Sequence, residues 1–194
     1  MSIVVALKKD GVVYLGADTR TSCGNEVYAQ LLPADFKIHR LGSCYVGSTG
    51  KVAALQFLKI HPEWFELDGE PLTKRYLVRE VVPKYYALLR EQGLIAPPSE
   101  SKKEADSESS FLVTDGGHVF RIRSDFAVIE EGDFSAIGCT LNIAYACFLN
   151  ADPDAAPREL VLTALRASVN RSIGVGAPYV LVNTRDNDFE IVED

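Results

Sequence analysis

Ser2 is the residue from which a reaction can be built in this sequence. A hydroxyl is a weak nucleophile at neutral pH and needs an adjacent base. With Met1 removed, Ser2 carries that base itself, as its α-amine, whose reference pKa of roughly 8 leaves it partly neutral at pH 7. Three more residues have the chemistry to assist. A Lys37 ammonium nearby would lower the amine pKa, because like charges disfavour protonation. Asp18 would hold Lys37 as its counter-charge. Gly47 has no side chain, so its N–H could approach a tetrahedral oxyanion closely. Each residue has a plainer reading taken singly. A second-position serine is a tolerated residue, a strand lysine is a solvated edge group, and an aspartate ending a strand is a cap. A glycine before a helix is there for its backbone. Their joint spacing favours the chemical reading.

Two hairpins must position these groups. Ser2 to Leu7 and Val12 to Ala17 are β-rich runs separated by Lys9-Asp10-Gly11. Read as a three-residue loop, this sets Lys8 opposite Val12 and Ser2 beside Asp18. Phe36 to Leu41 and Cys44 to Gly47 flank Gly42-Ser43, a Gly-X pair suited to a type II′ turn. That register puts Ile38 opposite Gly47 and Lys37 opposite Ser48. Between the hairpins, Thr19 to Asp35 is polar and turn-rich, with a short strand expected around Val27 to Leu31. If the hairpins are neighbours in one sheet, Ser2, Asp18, Lys37 and the Gly47 amide share a pocket.

The remaining elements frame that pocket. Ser48 or Thr49 can cap a helix running to about Ile60, which would put Gly47 directly before its positive end. Leu72 to Gln92 reads as a second helix, kinked by Pro83 and stopped by Gly93. Ala96 to Ser110 is a Pro-led, charge-dense insertion that reads as a mobile surface loop. Phe111 to Thr114 and Val119 to Arg123 form a third hairpin, followed by strands Ala127 to Glu130 and Phe134 to Ile137. Leu141 to Leu149 is a helix. Asp154 can cap another, with Pro157 and Glu159 in its first turn, running to about Asn170. Ala177 to Asn183 and Phe189 to Val192 close the chain. Strands, two helices, strands, two helices and strands again imply an α+β protein, a four-layer α/β/β/α sandwich of two antiparallel sheets flanked by helix pairs. Residues 1–194 read as one domain.

Composition sets the outer limits. The chain has 194 residues, with 20 Lys+Arg against 27 Asp+Glu and a net charge of −7. Its 47% apolar residues support a core without disulfides. Acidic balance without a basic cluster argues against nucleic acid as partner, and no apolar run reaches bilayer length. Cys23, Cys44, Cys139 and Cys147 lack CxxC spacing and read as reduced thiols. Scattered His39, His61 and His118 suggest no metal site. With no basic n-region or cleavage site at the start, the expectation is a cytoplasmic protein.

The run SIVVALKKDGVVYLGADTR resembles the opening of proteasome β-type subunits, the bacterial HslV peptidase included. That family has a hydroxyl residue at the mature N-terminus and an Asp sixteen positions on, in an A-D-x-R segment. Ser2 and Asp18 match that spacing without a gap. FKIHRL resembles the strand of the family's catalytic lysine, here Lys37. VGSTGKVAALQFLK resembles the A-G segment that supplies the oxyanion amide, which implies Gly47. AIGCTLNIAYACFL resembles the helix start after G-S-G, with Cys139 at the position of the serine. The family's R-D-x-x-S-G-G segment appears as Asn170 to Gly176, with Asn170 or Arg171 at the acidic position and Gly174 at the serine.

The resemblance implies the N-terminal nucleophile hydrolase fold. It implies a peptidase acting without cofactor or metal through an acyl-enzyme on Ser2, on peptides or unfolded proteins. It places the substrate pocket near Thr21, Cys23, Gln30 or Leu31, and Thr49. Self-association into rings or an open helical assembly follows, with a possible ATPase partner. Two other readings stay open: a catalytically degenerate ring subunit, and an N-terminal nucleophile amidase acting on a small amide.

Overall fold

In the computed structural model, residues 1–23, 26–95 and 106–193 are described. The first hairpin is tighter than the expected three-residue loop. β1 (Ile3–Lys9) and β2 (Val12–Asp18) pair with Lys9 opposite Val12 and Val4 opposite Ala17. Asp10 and Gly11 alone make the turn, at φ 52° and 71°. Two positive φ angles are the type I′ pattern, whose twist matches the flanking strands, and Asp tolerates that region. The register is therefore shifted by one residue. Beyond Val4–Ala17 the ladder brings Asp18 level with Ile3 rather than Ser2, and Asp18 Oδ1 accepts the Ile3 N–H at 3.0 Å.

A two-stranded ribbon follows, β3 (Arg20–Cys23) with β4 (Glu26–Gln30), where one short strand was expected. The second hairpin has the expected register. β5 (Ile38–Leu41) and β6 (Cys44–Thr49) pair Ile38 with Gly47, and Gly42 sits at φ 54°. Ser48 and Thr49 belong to β6, not to a helix cap. They pair with Phe111 and Ser110 of β7 (Ser110–Thr114), and this long-range ladder outweighs their capping preference. Helix α1 (Val52–Lys59) starts only after Lys51 and has no side-chain cap.

Thr73 Oγ1 accepts the Tyr76 N–H at the start of α2 (Lys74–Tyr76). A π-helical turn, Leu77–Val81, leads into α3 (Val82–Glu91). Pro83 falls in the first turn of α3, where its missing N–H matters least, and the wide turn before it absorbs the break. Then come β8 (Val119–Ile122), β9 (Val128–Glu130), β10 (Phe134–Gly138), α4 (Leu141–Leu149) and α5 (Pro157–Val169). The last helix starts from Ala156 rather than Asp154, because Pro157 is pre-set for the first helical position. β11 (Tyr179–Asn183) and β12 (Phe189–Val192) end the chain.

One sheet has the order β10-β1-β2-β11-β12 and the other β5-β6-β7-β8-β9. The hairpins thus lie in different sheets, stacked face to face, not side by side in one. Val4, Ala6, Val13 and Leu15 meet Ile38, Tyr45 and Leu112 in the seam. Leu55, Leu58, Leu77, Tyr85 and Leu89 cover the outer face of the second sheet, and Ala144, Phe148, Val161 and Leu165 cover that of the first. The result is the α/β/β/α sandwich. Burial beneath α1 pushes the Cys44 thiol up to about 12, which keeps it inert.

The surface loop expected at Ala96–Ser110 falls mostly on residues 96–105, outside the described residues. Its distal end is packed. Ser107 and Ser109 are buried, the Ser107 N–H donates to Ser124 O at 2.9 Å, and the Lys51 N–H donates to Ser109 Oγ at 3.1 Å. Among the described residues no helix is long and apolar enough to cross a membrane.

Candidate active site

The two sheets meet chemically at one ion pair. Asp18 ends β2 in the first sheet and Lys37 precedes β5 in the second. Lys37 Nζ donates to Asp18 Oδ1 at 2.5 Å, with the carboxylate side chain fully buried and the lysine 8% exposed. Isolated charges at such depth would be strongly unfavourable, so the other hydrogen bonds matter. Asp18 also accepts from the Ile3 N–H at 3.0 Å and the Arg20 N–H at 3.2 Å. Lys37 donates a second bond to Arg20 O at 2.8 Å. Burial pushes the Asp18 carboxyl up and the Lys37 ammonium down, each opposed by the partner's charge. Lys37 lines the same cleft as Met1 and Ser2, and the Asp18 charge opposes the loss of its proton.

Ser2 is half-buried and lines a small cleft together with Lys37, Thr21, Leu31, Thr49 and Gly50. It also lines a second cleft of about 400 Å³, walled by Gly138, Cys139, Glu108 and again Thr49 and Gly50. Ser2 therefore stands where two grooves join. Its Oγ donates to Met1 O at 2.7 Å. The Met1 ammonium donates to Ser22 O at 3.1 Å and Ser22 Oγ at 3.0 Å, and its thioether accepts from Ser172 Oγ at 3.4 Å.

Gly47 does not line either cleft. It lies inside β6, where an added Cβ would come within 2.6 Å of Val4 Cγ1 in the seam between the sheets. The longer β6 moves the turn into α1 onward, and the glycine at the junction of the grooves is Gly50. Gly50 sits at φ 107°, and a Cβ there would meet Glu108 O at 2.1 Å. Of the expected pocket residues, Thr21, Leu31 and Thr49 share the cleft with Ser2. The Cys23 side chain lies outside the described residues. Gln30 is exposed in β4 and is not among the residues lining these clefts.

Cys139 reaches the site as expected. Its N–H donates to Ser2 O at 3.0 Å, and its exposed thiol lies 3.6 Å from Ser172 Oγ. Gly174 also arrives, buried against Met1 and Ser22, with no room for a Cβ. Asn170 and Arg171 do not. Both are exposed and border the groove between α4 and α5, because helix α5 ends at Val169 and the chain turns only afterwards. Sequence reasoning passed over Ser172, which takes their place near Cys139. It also passed over Arg20, whose guanidinium donates to Ile173 O at 2.9 Å and Val175 O at 3.3 Å and so fixes the turn bearing Ser172. The A-D-x-R segment was the available signal for Arg20.

No family model matches this sequence, and no curated protein does. Solved structures match in fold. BPH from Thiobacillus denitrificans superposes with TM-score 0.72 at 21% identity, over 93% of this chain and 96% of that one. The same protein in complex with epoxomicin matches with TM-score 0.72 at 20% identity, over 99% and 100%. The Gly-1 mutant of Anbu from Hyphomicrobium sp. strain MC1 gives 0.71 at 18%, over 100% and 87%. HslV from Trypanosoma brucei gives 0.67 at 16%, over 93% and 98%. The chain accordingly has the proteasome-type N-terminal nucleophile fold found in BPH, Anbu and HslV.

Proposed function

We propose that the chain is an N-terminal nucleophile peptidase that cleaves peptide bonds through an acyl-enzyme on Ser2 after Met1 is removed. The observation that carries this reading is the buried Lys37–Asp18 pair, whose lysine lines the cleft that Ser2 also lines. In the reaction, the Ser2 amine takes the Oγ proton as Oγ bonds to the substrate carbonyl carbon. The C–N bond then breaks, and the ammonium returns its proton to the leaving amine. Water attacks the ester with the same amine as base, releasing the acid and restoring the hydroxyl. The Lys37 charge keeps the amine neutral enough to act. We assign the oxyanion wall to the backbone at Gly50, since Gly50 borders both grooves and Gly47 is sealed in the seam.

The same proposal includes self-association into a ring or open helical array, residence in the cytoplasm, and unfolded chains as substrates, with an ATPase as their possible source. A second reading, a ring subunit without activity, is favoured by the seat that Ser22, Ser172 and Gly174 make for Met1. With Met1 in place, Ser2 has no free amine.

Intact mass of natively expressed protein decides whether Met1 is lost. Fluorogenic peptide cleavage and labelling by epoxomicin, both abolished in Ser2→Ala, are the expected results for the peptidase. A Met1-free protein that neither cleaves nor labels would leave the scaffold reading. Light scattering at micromolar concentration should show an oligomer.

A further inference from the structure

We infer that Ser172 is a positioning residue for the Ser2 α-amine, acting through its hydroxyl. The inference rests on the peptidase reading above.

The geometry comes from three contacts. Ser172 Oγ lies 3.6 Å from Cys139 Sγ, and the Cys139 N–H holds Ser2 O at 3.0 Å. Ser172 Oγ also donates to Met1 Sδ at 3.4 Å, so it already faces the N-terminal residue. Gly174 backs Met1 so closely that a Cβ would lie 2.5 Å from Met1 Cβ. Loss of Met1 vacates this seat and brings the chain's amine to Ser2. A neutral amine has two N–H donors and one lone pair. The lone pair must face its own Oγ to take the proton, so the N–H groups need acceptors on the other side. Ser22 Oγ, which accepts from the Met1 ammonium, and Ser172 Oγ, which meets the Met1 thioether, are the hydroxyls that line the seat Met1 leaves.

Charge around this point is already committed. Lys37 is paired with Asp18, and Arg20 is bound to the Ile173 and Val175 carbonyls. Across the second groove Glu108 pairs with Lys51, and Asp106 Oδ1 accepts the Glu108 N–H. Asp35, paired with Lys59, also lines the first cleft, and the Cys139 thiol adjoins Ser172. Among the described residues, no carboxylate hydrogen-bonds Met1 or Ser2. A hydroxyl orients the amine without adding the negative charge that would raise its pKa.

The test uses protein beginning at Ser2, with Ser172 as found and as Ser172→Ala, Ser172→Thr and Ser172→Asp. Competitive acetylation across a pH series, read by mass spectrometry, gives the pKa of the Ser2 amine without requiring turnover. Ser172→Asp should raise it by about one unit. Ser172→Ala should lower kcat about tenfold with KM unchanged, and Ser172→Thr should restore it. An amine pKa unmoved in Ser172→Asp overturns the inference, as does full kcat in Ser172→Ala. If the unaltered protein cleaves nothing, the peptidase reading falls, while the amine titration still decides whether Ser172 faces the amine.

Discussion

Lys37 and Asp18 join the two sheets, with Nζ 2.5 Å from Oδ1, the carboxylate fully buried and the lysine nearly so. Asp18 belongs to the strand that pairs with the N-terminal strand, and its Oδ1 also accepts the Ile3 N–H. The residue that follows Ser2 is therefore fixed to the carboxylate that holds Lys37. Stability and the aim of the nucleophile depend on the same bond.

Lys37→Met should leave Asp18 as a buried, unpaired carboxylate and lower stability by about 3–5 kcal/mol. Asp18→Asn combined with Lys37→Met should recover most of that loss, because no charge then remains in the seam. Both proteins should be inactive. Chemical denaturation separates the cases, and a double variant as unstable as Lys37→Met would mean that the pair is not ionic.

Asp115 should make the fold acid-sensitive. Burial alone would raise its carboxyl, but N–H groups of Leu72, His118 and Gly117 outweigh burial and hold it below its ordinary value of 3.8. A carboxylate with a depressed folded pKa contributes stability that is fully present above the unfolded value and lost as pH falls through the folded one. Asp115→Asn should therefore cost about 2 kcal/mol at pH 7. The gap from the unaltered protein should close as pH drops below 3.8. A gap constant with pH would show that the charge is not what the three amides bind.

The second hairpin was legible to the residue because Gly42-Ser43 admits one turn type. The first was misread by one position because Lys9-Asp10-Gly11 fits two loops, and only the positive φ of Asp10 separates them. Asp18 and Lys37 were recognisable from type and spacing. Gly47 was placed correctly opposite Ile38 but not relative to α1, since the length of β6 depends on its pairing with β7, more than sixty residues away in sequence. Ser172 carried no local signal. Its meaning lies in contacts with Met1 and Cys139, made by a turn that Arg20 holds from a distant strand.

Gly47→Ala and Gly50→Ala should differ in kind. At Gly47 the new methyl meets the Val4 side chain at 2.6 Å, an overpacked seam costing about 1–3 kcal/mol. Turnover per folded molecule should be unchanged. At Gly50, φ 107° and Glu108 O at 2.1 Å forbid a side chain, so the groove wall must shift and turnover should fall at least tenfold. Denaturation midpoints and active-site titration together check this. Loss of turnover in folded Gly47→Ala would return the oxyanion role to Gly47.

Gly174→Ala should act on Met1 before it acts on anything else. The added Cβ would lie 2.5 Å from Met1 Cβ and 2.9 Å from Met1 Cε, while its remaining close neighbour, Ser22 Oγ at 2.5 Å, can rotate away. Protein that keeps Met1 should therefore lose about 1 kcal/mol, or roughly 2–4 °C in Tm, on Gly174→Ala. Protein beginning at Ser2 should lose less. The unseated methionine should also be trimmed faster by a methionine aminopeptidase, which timed intact-mass measurements follow directly. Equal Tm losses in both forms, with unchanged trimming, would show that the pocket at Gly174 does not hold the first residue in solution.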